Sequence, residues 1–474
     1  MDSTNLSAPM IAELGAVFTA ALTAAGPQLL QADLDGIEQA LQALSRQVLG
    51  RVVEAVVATR VAQAPVARPE CPECGQAMRR VARRPRQLVG LVGDYTLRRP
   101  YYVCDRCQRG RAPLDEWLGL GRGSLSPGLG RVAGRLGIET SFGVTTTLLA
   151  ETLQVRVPAE TVRRLTEGVG AVAEAEAQGA IGRAQAGAVP PTGTLPTAAA
   201  LLVEADGAMV HLDDDWHEVK VGLAAPLGPA TQTDPDTHRT RLVVGTPAYC
   251  AGLEPAEAFW YRLYVTACRQ GLGSPALALV VVLGDGAEWI WHYAARFLTI
   301  GAVEVVEIVD LYHAWEHLGT VAQAVFGAGS AASTAWLTPL KAALRDQGVA
   351  PVLAALQALA PAEPTAADEV RKALGYFTTH ADRMDYPGFV ARGLPIGSGA
   401  VESGCKTLLE AREKAAGMRW SRTGAQAVAT LRAVARSGGW EPFWTTRPQC
   451  RRPAVFPRHP RPVPGARDVS PRAA

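Results

Sequence analysis

Apolar runs that end in a carboxylate recur in the second half of the chain. Residues 275–286 read PALALVVVLGDG, so a run of aliphatic residues ends at Asp285. Residues 201–207 (LLVEADG) and 303–310 (VEVVEIVD) share this design and carry Asp206 and Asp310 at their ends. A strand without a polar face is buried on both sides, and open α/β sheets place their chemistry at the carboxyl ends of strands. The pattern therefore predicts buried strands with acidic side chains at one edge of a sheet.

The order of elements predicts how these strands are arranged. From residue 198 the pattern gives β-β-β-α-β-α-β-α, with three antiparallel strands first and parallel strands alternating with helices afterwards. This is the order of an RNase H-like fold, in which the first and fourth strands are neighbours. Asp206 and Asp285 are then expected to converge. A later segment, GLPIGSGAVESGCK, leads into a helix that can present Glu402 at the same point, with Ser398 as its cap.

Three convergent carboxylates have a defined chemistry. They repel one another and need cations, and hard oxygen ligands select Mg²⁺ or Mn²⁺. Two such ions can activate an attacking oxygen and stabilise the leaving oxygen of a phosphoryl transfer. Asp310 competes with Asp285 for the second position, but Asp285 closes the fourth strand and fits better. Asp310 and His313 form D-x2-H, which either supports the site from a second layer or is simply a helix N-cap with a histidine in its first turn.

Two C-x2-C pairs, Cys71/Cys74 and Cys104/Cys107, lie about 30 residues apart, which suits a tetrahedral zinc site with four thiolate ligands. The residues between them alternate like a β-hairpin, so a zinc ribbon is predicted. Arginines crowd this ribbon and favour phosphate contacts, although a solvated structural ribbon would look similar. Upstream, residues 8–62 have helical spacing, and Gly26-Pro27 is expected to divide them into two helices.

Residues 124–170 predict helices around a short break at 154–157, with Pro158 opening the last one. This arrangement resembles a helix-turn-helix, and a generic helical hairpin is the alternative. Basic residues after Glu402 predict a DNA-binding surface, for which a solvated helix face is the alternative. The predicted DNA contacts are Arg83, Arg84, Arg163, Arg164, Lys406, Lys414, Arg419 and Trp420.

Composition narrows the class. The 474 residues carry a net charge of +2 and are 48% hydrophobic, which is ample for several buried cores. No signal peptide is expected, nor an apolar run of the roughly 20 residues that a membrane span needs. The chain is therefore expected to be cytoplasmic and nucleoid-associated, with no membrane partner. In that reducing compartment paired cysteines favour metal over disulfides.

The prediction is thus a multidomain α+β protein. Its segments are an N-terminal helical region (1–65), the zinc ribbon (66–120), the helix-turn-helix-like domain (121–178), a linker (179–197), the first part of the RNase H-like core (198–330), an all-helical insertion (331–392), the last part of the core (393–445) and a disordered Pro/Arg-rich tail (446–474).

Four stretches together resemble a known family. EADG at Asp206, LGDGAEWIW at Asp285, DLYHAWEHL from Asp310 and above all GLPIGSGAVESGCK…REKAAGMRWSRTGAQAV resemble bacterial insertion-sequence transposases of the ISKra type, and more distantly Mutator-type DDE transposases. The resemblance implies an RNase H-like DDE enzyme interrupted by a helical insertion. It places the catalytic acids at Asp206, Asp285 and Glu402, and D-x2-H at Asp310 and His313.

The hypothesis is a DNA transposase with catalytic Mg²⁺ or Mn²⁺ and structural Zn²⁺. It would hydrolyse a phosphodiester at the element end and join the freed 3′-hydroxyl to target DNA. Ribbon and helix-turn-helix would bind double-stranded terminal repeats, and a homodimer or higher homo-oligomer would pair two ends. The alternatives are a DNA-binding regulator or adaptor that no longer cuts, and a metal-dependent nuclease that does not join ends. A metalloprotease of the H-x2-E-H type, at His313, Glu316 and His317, explains neither the ribbon nor the arginines.

Overall fold

The computed structural model describes residues 7–63, 68–121, 123–195, 199–233, 240–300, 303–446 and 456–457. The chain divides into two compact units: residues 1–137, 142–162 and 446–474 form the first, and residues 138–141 and 163–445 form the second. Each unit combines helices with a β-sheet, so the molecule is a mixed α+β protein, as predicted.

The elements follow the predicted order closely. Up to residue 185 they are α1 (Ala8–Leu29), α2 (Leu34–Gln63), β1 (Arg79–Val89), β2 (Asp94–Val103), β3 (Arg109–Arg111), α3 (Pro113–Trp117), α4 (Pro127–Glu139), α5 (Phe142–Leu153) and α6 (Ala159–Gln185). From residue 199 they are β4 (Ala199–His211), β5 (Trp216–Thr233), β6 (Thr240–Val244), β7 (Ala248–Gly252), α7 (Ala256–Arg269), β8 (Leu277–Gly284), α8 (Glu288–Leu298), β9 (Glu304–Val309), α9 (Leu311–Phe326), α10 (Ala331–Gln347), α11 (Ala350–Gln357), α12 (Pro364–Thr379), α13 (Tyr386–Ala391), α14 (Gly399–Cys405), α15 (Ala411–Glu413), α16 (Arg422–Arg436), α17 (Trp440–Thr446) and β10 (Phe456–Pro457).

The N-terminal region is divided into two helices, but not at Gly26-Pro27. Helix α1 continues through Pro27 to Leu29, and α2 begins after Asp33, whose Oδ1 accepts a hydrogen bond from the Gly36 amide at 2.9 Å. A proline removes a donor and crowds the preceding turn, yet so near a helix end these effects disturb few bonds. The break therefore follows the N-cap signal of Asp33 and not the proline.

Helix α1 is apolar along its length and has no buried residue. By length and composition it could cross a membrane, which corrects the expectation that no apolar run reaches that length. A single helix of this kind near the N-terminus is weak evidence for a membrane span, because core helices of soluble proteins and signal sequences have the same length and composition. Helix α1 also lies against α2, where the Thr59 hydroxyl donates to the Met10 sulfur at 3.4 Å.

The sheet of the first unit contains the predicted ribbon. Strands β1 and β2 form an antiparallel hairpin in which Arg84 faces Arg99, and the sheet order is β1-β2-β3-β10. Helix α5 ends at Leu153 and α6 begins just after Pro158, which confirms the predicted break between them.

The second unit is built on a mixed sheet with the order β6-β5-β4-β8-β9, and β7 also pairs with β5. Strand β5 runs antiparallel to β4, β6 and β7, whereas β4 pairs with β8 and β8 with β9 in parallel. The predicted third strand is divided into β6 and β7 around Gly245–Pro247, where Pro247 has no N–H to donate to a ladder. The predicted adjacency of the first and fourth strands, β4 and β8, is confirmed.

Helices cover both faces of this sheet. A Cβ at Gly222 on β5 would meet Leu263 and Phe259 of the α7 side, whereas one at Gly404 on α14 would meet Tyr249 and Val221. Because Val221 and Gly222 are consecutive on β5, their side chains lie on opposite faces. Helices α7 and α14 therefore cover the two faces, which explains why the strands between them lack a polar side.

Residues 331–392 are helical, as predicted, and they share the core of the sheet. Leu344, Val352 and Phe377 are fully buried in the same hydrophobic cluster as β4, β8 and β9. The Tyr386 hydroxyl donates to the Val309 carbonyl at 3.0 Å. The insertion is therefore packed onto the sheet and has no separate core among the described residues.

Two predicted boundaries need correction. Helix α6 extends to Gln185, seven residues into the predicted linker 179–197, because Ile181 is buried and continues its apolar face. The remaining linker is anchored, since the Gly193 amide donates to the Cys268 carbonyl at 2.8 Å. Of the predicted tail 446–474, Thr446 ends α17 and Phe456–Pro457 pairs with β3, and the rest lies outside the described residues.

A buried ionic network joins three helices of the second unit. Arg262 of α7 donates to Glu174 of α6 at 2.6 Å and also pairs with Glu254. Glu174 in turn accepts from Thr430 of α16 at 2.6 Å. Burial by itself raises the pKa of Glu174, but hydrogen bonds from Arg262 and Thr430 outweigh it and hold the pKa below its ordinary value.

Replacing Glu174→Ala is expected to lower the free energy of unfolding by about 3 kcal/mol, because it leaves Arg262 buried without one of its partners. Urea titration followed by circular dichroism measures this. The matched control is Glu257→Ala, which breaks an exposed pair with Arg296 and should lower the free energy of unfolding far less. The pKa of Glu174 is lower in the folded state than in the unfolded state, so its ionised form stabilises the fold at pH values above the unfolded pKa. This stabilisation is lost as the pH falls through the folded pKa, so the stability difference between Glu174→Ala and wild type should shrink in acid. Equal losses for the two variants would contradict the network's role.

Candidate functional site

The four predicted cysteines of the ribbon form one cluster. The sulfurs of Cys71, Cys74, Cys104 and Cys107 all lie within 4.8 Å of one another, and those of Cys74 and Cys104 are 3.6 Å apart. Four sulfurs bound tetrahedrally at the usual zinc–sulfur distance would be roughly 3.8 Å apart. The cluster thus fits a structural zinc ion in its donor chemistry and its spacing.

Backbone geometry builds the cluster from two short turns. The Cys71 amide donates to the Gln76 carbonyl and the Cys104 amide to the Arg109 carbonyl, both at 2.8 Å. Gly75 and Gln108 close these turns with positive φ, which glycine adopts freely and which a glutamine seldom does. Each C-x2-C pair therefore folds locally, and the β1–β2 hairpin brings the two pairs together.

The charges of the cluster also favour a cation. Burial opposes ionisation of Cys71, but hydrogen bonds from the Glu73 and Cys74 backbone lower the pKa of its thiol to about 7. The pKa of Cys107 is raised to about 12, first by its hydrogen bond to Cys74. Neighbouring thiolates repel one another, and a divalent cation would relieve that repulsion.

The second candidate centre lies where β8 and β9 end beside the middle of β4, which continues to His211 and does not end near Asp206 as predicted. Glu204 pairs with Leu283, and Gly284 pairs with Val309. Asp206 and Asp285 each stand two positions after this last pair of β4 and β8, and Asp310 directly follows Val309. The predicted convergence of Asp206 with Asp285 stays a prediction, which is supported by the effect of the Asp285 charge on Asp206.

Asp206 is half enclosed at this edge. Its Oδ1 accepts from the Gly207 amide at 2.7 Å, and its Oδ2 lies 3.4 Å from the Cys405 sulfur of α14. Burial raises the pKa of Asp206, and the negative charge of Asp285 raises it further. A carboxylate whose ionisation is disfavoured by a neighbouring carboxylate is typical of a cation site.

Asp285 is held by the turn into α8 and by the helical insertion. Its Oδ1 accepts from the Ala287 amide at 2.8 Å, and its backbone carbonyl accepts from the Tyr376 hydroxyl of α12 at 3.1 Å. Gly286 has φ +105°, and a Cβ there would lie 2.7 Å from the Tyr376 ring. Glycine is therefore required where α12 closes over the Asp285 turn.

Glu402 occupies the first turn of α14 but is exposed, and its carboxylate accepts from Lys406 at 2.6 Å. Lys406 lowers the pKa of Glu402. Within the part of the chain that the structure describes, the cysteines alone form a set of three or more acidic, histidine or cysteine groups at metal-binding spacing. Asp206, Asp285 and Glu402 are therefore not gathered to that spacing.

Asp310 is buried and caps α9, where its Oδ1 accepts from the Tyr312 and His313 amides. Its Oδ2 accepts from the backbone amide and the hydroxyl of Ser398. Ser398 makes no side-chain cap bond to its own helix, so the capping predicted for it is wrong, because its hydroxyl is already committed to Asp310. The His313 Nδ1 atom lies 3.4 Å from a Glu316 carboxylate oxygen, and a positive charge on His313 would lower the pKa of Asp206 and Glu402.

Three groups at this edge were not singled out from the sequence. Glu204 is buried and accepts from the Val401 amide at 2.7 Å, and Cys405 and Tyr376 contact the two aspartates as described. A charged residue inside the apolar run LLVEADG was a usable signal for Glu204. No local pattern marks Cys405 or Tyr376, because their partners are far away in sequence.

The predicted DNA contacts have different surroundings. Arg83 is exposed on the ribbon, while the Arg84 guanidinium lies 3.8 Å from the centre of the Tyr101 ring. Arg163 pairs with Glu167 at 2.6 Å, and Arg164 lies beside it on α6 with its side chain exposed. All four side chains are exposed or partly exposed on the protein surface.

The basic residues after Glu402 are less uniform. Lys406 and Lys414 pair with acids one turn earlier, and Arg419 is exposed. The predicted DNA contact of Trp420 is wrong. Trp420 is 5% exposed, and its indole N–H donates to the Glu413 carbonyl at 3.2 Å. Its ring packs inside the protein and cannot stack on DNA in this conformation.

No protein-family model matches the chain, and no curated protein matches it either. Any functional assignment therefore depends on the geometry of these two centres and on the resemblance of the sequence motifs.

The cysteine cluster makes a direct prediction. Purified protein should contain about one zinc ion per chain by plasma mass spectrometry, and Cys104→Ala should abolish it because three thiolates hold zinc far more weakly than four. The control Cys268→Ala removes a buried core thiol outside the cluster and should leave the zinc content unchanged. Retention of zinc by Cys104→Ala would show that the ion is held elsewhere.

Proposed function

We propose that this chain is the DNA transposase of an insertion sequence and a DDE-type enzyme. The observation that carries the proposal is the parallel register of β4 and β8, in which Asp206 and Asp285 each stand two positions after the last paired residues, Glu204 and Leu283. The strand order, with an antiparallel β5 and parallel β4, β8 and β9, is the one expected of an RNase H-like core and supports that fold. Helices α10 to α13 stand where an all-helical insertion would precede the segment with Glu402.

The donor set fits Mg²⁺ or Mn²⁺ in its chemistry. Asp206 and Asp285 offer hard oxygen atoms at one edge, and their mutual repulsion favours a cation. Glu402 would be the third ligand, and to reach the ion its exposed side chain has to leave Lys406 and move towards the two aspartates. When bound, such ions activate the attacking oxygen and neutralise charge on the phosphate.

The reaction proposed is hydrolysis followed by strand transfer. A water oxygen forms a new bond to phosphorus as the P–O3′ bond breaks, which frees a 3′-hydroxyl at the element end. That hydroxyl then attacks a target phosphodiester, so one phosphodiester bond replaces another without an outside energy source. The resulting DNA recombination moves a mobile genetic element.

His313 is the cationic candidate for contact with the scissile phosphate. It lies in the first turn of α9, half exposed, and when protonated it would act on both Asp206 and Glu402. A protonated imidazole there would bind a phosphate oxygen and help to place the strand between the carboxylates.

The ribbon arginines fall into two sets on opposite faces of the β1–β2 hairpin. Arg86 and Arg99 pair with the buried Asp115 and are structural. Arg83 and Arg98 are exposed, and the register Arg83↔Pro100 with Pro85↔Arg98 places them on the other face. We assign that exposed face to the phosphates of the element ends, and we assign a further DNA contact to helices α5 and α6 as a helix-turn-helix.

A second copy of the chain would pair the two element ends. Helix α1 supports a homodimer or a larger homo-oligomer, because a helix that is apolar all round is normally covered. Ile11, Phe18 and Leu22 are its exposed large side chains. An enzyme that acts on chromosomal DNA works in the cytoplasm at the nucleoid. We therefore propose that another copy of the chain, and not a membrane, packs against α1.

One observation favours a second candidate, a DNA-binding regulator or adaptor that does not cut. Glu402 is engaged by Lys406 and is not at metal-binding spacing with the two aspartates. Such a protein would bind the element ends without cleaving them at any divalent-ion concentration.

Cleavage of a duplex that carries the DNA flanking the gene separates the two candidates. With Mg²⁺ or Mn²⁺ the wild-type chain should nick this duplex at the element end, and Asp206→Ala, Asp285→Ala and Glu402→Ala should each lower the rate on the order of 10³-fold. The control Asp213→Ala changes an exposed acid in the β4–β5 turn and should cut normally. Binding without cleavage by wild type would favour the regulator, and normal cutting by Asp285→Ala would sink the assignment of the second carboxylate.

The exposed ribbon face predicts a change in salt dependence. The double variant Arg83→Ala/Arg98→Ala should weaken DNA binding and reduce the slope of log affinity against log salt by about 2, roughly one per lost phosphate contact. Fluorescence anisotropy with a labelled duplex measures both. Arg345→Ala removes an exposed arginine of α10 that pairs with Asp346, and its slope should match wild type. An unchanged slope in the ribbon variant would exclude this face from the DNA interface.

A further inference from the structure

Glu204 is an acid inside the strand β4, in a place where an apolar residue would be expected. Its side chain is 1% exposed, and its neighbours Leu202, Val203 and Ala205 are fully buried. Burial is the main cause that raises its pKa to about 8, with smaller contributions from the negative charges of Asp310 and Asp206. A carboxyl group that is this costly to bury indicates a position that needs a hydrogen-bond acceptor.

The acceptor has one defined partner in the structure. Glu204 Oε2 accepts from the Val401 backbone amide at 2.7 Å, across 197 positions of sequence. Val401 lies in the first turn of α14, where the amide has no partner within the helix. The strand thus supplies the acceptor that the start of this helix lacks.

The neighbouring strand end holds the same segment from another side. Asp310 accepts from the amide and the hydroxyl of Ser398, and the Leu311 amide donates to the Ile396 carbonyl at 2.9 Å. The segment 396–401 is therefore fixed to β4 and to the β9–α9 junction. Glu402 follows Val401 directly, so these bonds determine where its backbone stands relative to Asp206.

We propose that Glu204 is a positioning residue, which holds the first turn of α14 so that Glu402 and Cys405 keep a fixed orientation towards Asp206. The role given to Glu402 rests on the proposed function, whereas the anchoring of α14 does not. Apolar packing alone would leave the short helix free to slide, because it has no preferred direction. The bond from the Val401 amide fixes it, because a hydrogen bond depends steeply on distance and angle.

Two variants of Glu204 separate its acceptor from its charge. Glu204→Gln keeps an oxygen that can accept from Val401, whereas Glu204→Met fills the same volume without one. The control Glu307→Met changes an acid of β9 that pairs with Arg383 at 2.6 Å and does not touch α14. All three are compared with wild type after circular dichroism has established that they fold.

Hydrogen exchange followed by mass spectrometry tests the anchoring without any activity. In peptides spanning residues 396–405, Glu204→Met should exchange roughly tenfold faster than wild type, since the amide loses its only strong acceptor. Glu204→Gln and Glu307→Met should exchange like wild type in the same peptides. Unchanged protection in Glu204→Met, or equal loss in Glu204→Gln, would overturn the proposal. If Glu204→Met does not fold, Glu204→Gln decides it: wild-type protection supports the acceptor role, and lost protection refutes it.

DNA cleavage tests the consequence. Glu204→Met should lower kcat roughly a hundredfold, as a displaced catalytic group does, with KM for DNA nearly unchanged and more Mg²⁺ needed for half-maximal rate. Glu204→Gln should restore most of the rate. If exchange changes as expected but kcat does not, α14 is anchored without serving catalysis, and the positioning role fails. If wild type does not cleave DNA, the proposed function fails, and the exchange result still decides the anchoring.

Discussion

The parallel pairing of β4 with β8, and of β8 with β9, is the constraint on which the second unit depends. These strands are buried on both faces, so their register cannot slip without exposing apolar side chains or burying polar ones. A slip of one residue would also turn Asp206 to the other face, away from α14. The same pairing that stabilises the sheet therefore fixes which carboxylates stand next to one another.

Buried ionisable side chains then fix the positions of segments that apolar packing leaves undetermined. Glu204 and Asp310 hold the segment before Glu402, and the network of Arg262 with Glu174 joins α6, α7 and α16. Hydrophobic burial supplies most of the free energy of folding, but it has no direction. The charged groups supply direction, and each is tolerated inside the core because backbone or ionic partners satisfy it.

The first unit solves a different problem, because the hydrophobic cluster at the cysteine end of its ribbon is small. The cysteine cluster replaces a core there, with Met78 and Tyr102 packed against its sulfurs. Its arginines divide by face: Arg99 neutralises the buried Asp115, and Arg83 stays exposed. One residue type thus serves folding on one side of the hairpin and is available for phosphate on the other.

The sequence alone determined the local elements and two tertiary groupings, which are the cysteine cluster and the adjacency of β4 and β8. The hairpin, the buried strands β8 and β9 and the helical segment 331–392 are each encoded by the local spacing of apolar residues, and the C-x2-C pairs predicted their own cluster. Two predictions from weak local signals were wrong. Helix α1 continues through Pro27 because the N-cap at Asp33 sets the break, and α6 continues through residues 179–185 because Ile181 extends its apolar face. Only the tertiary structure decided that Trp420 is buried and that Glu204 meets Val401, because burial and hydrogen-bond partners are set by segments that are distant in the chain.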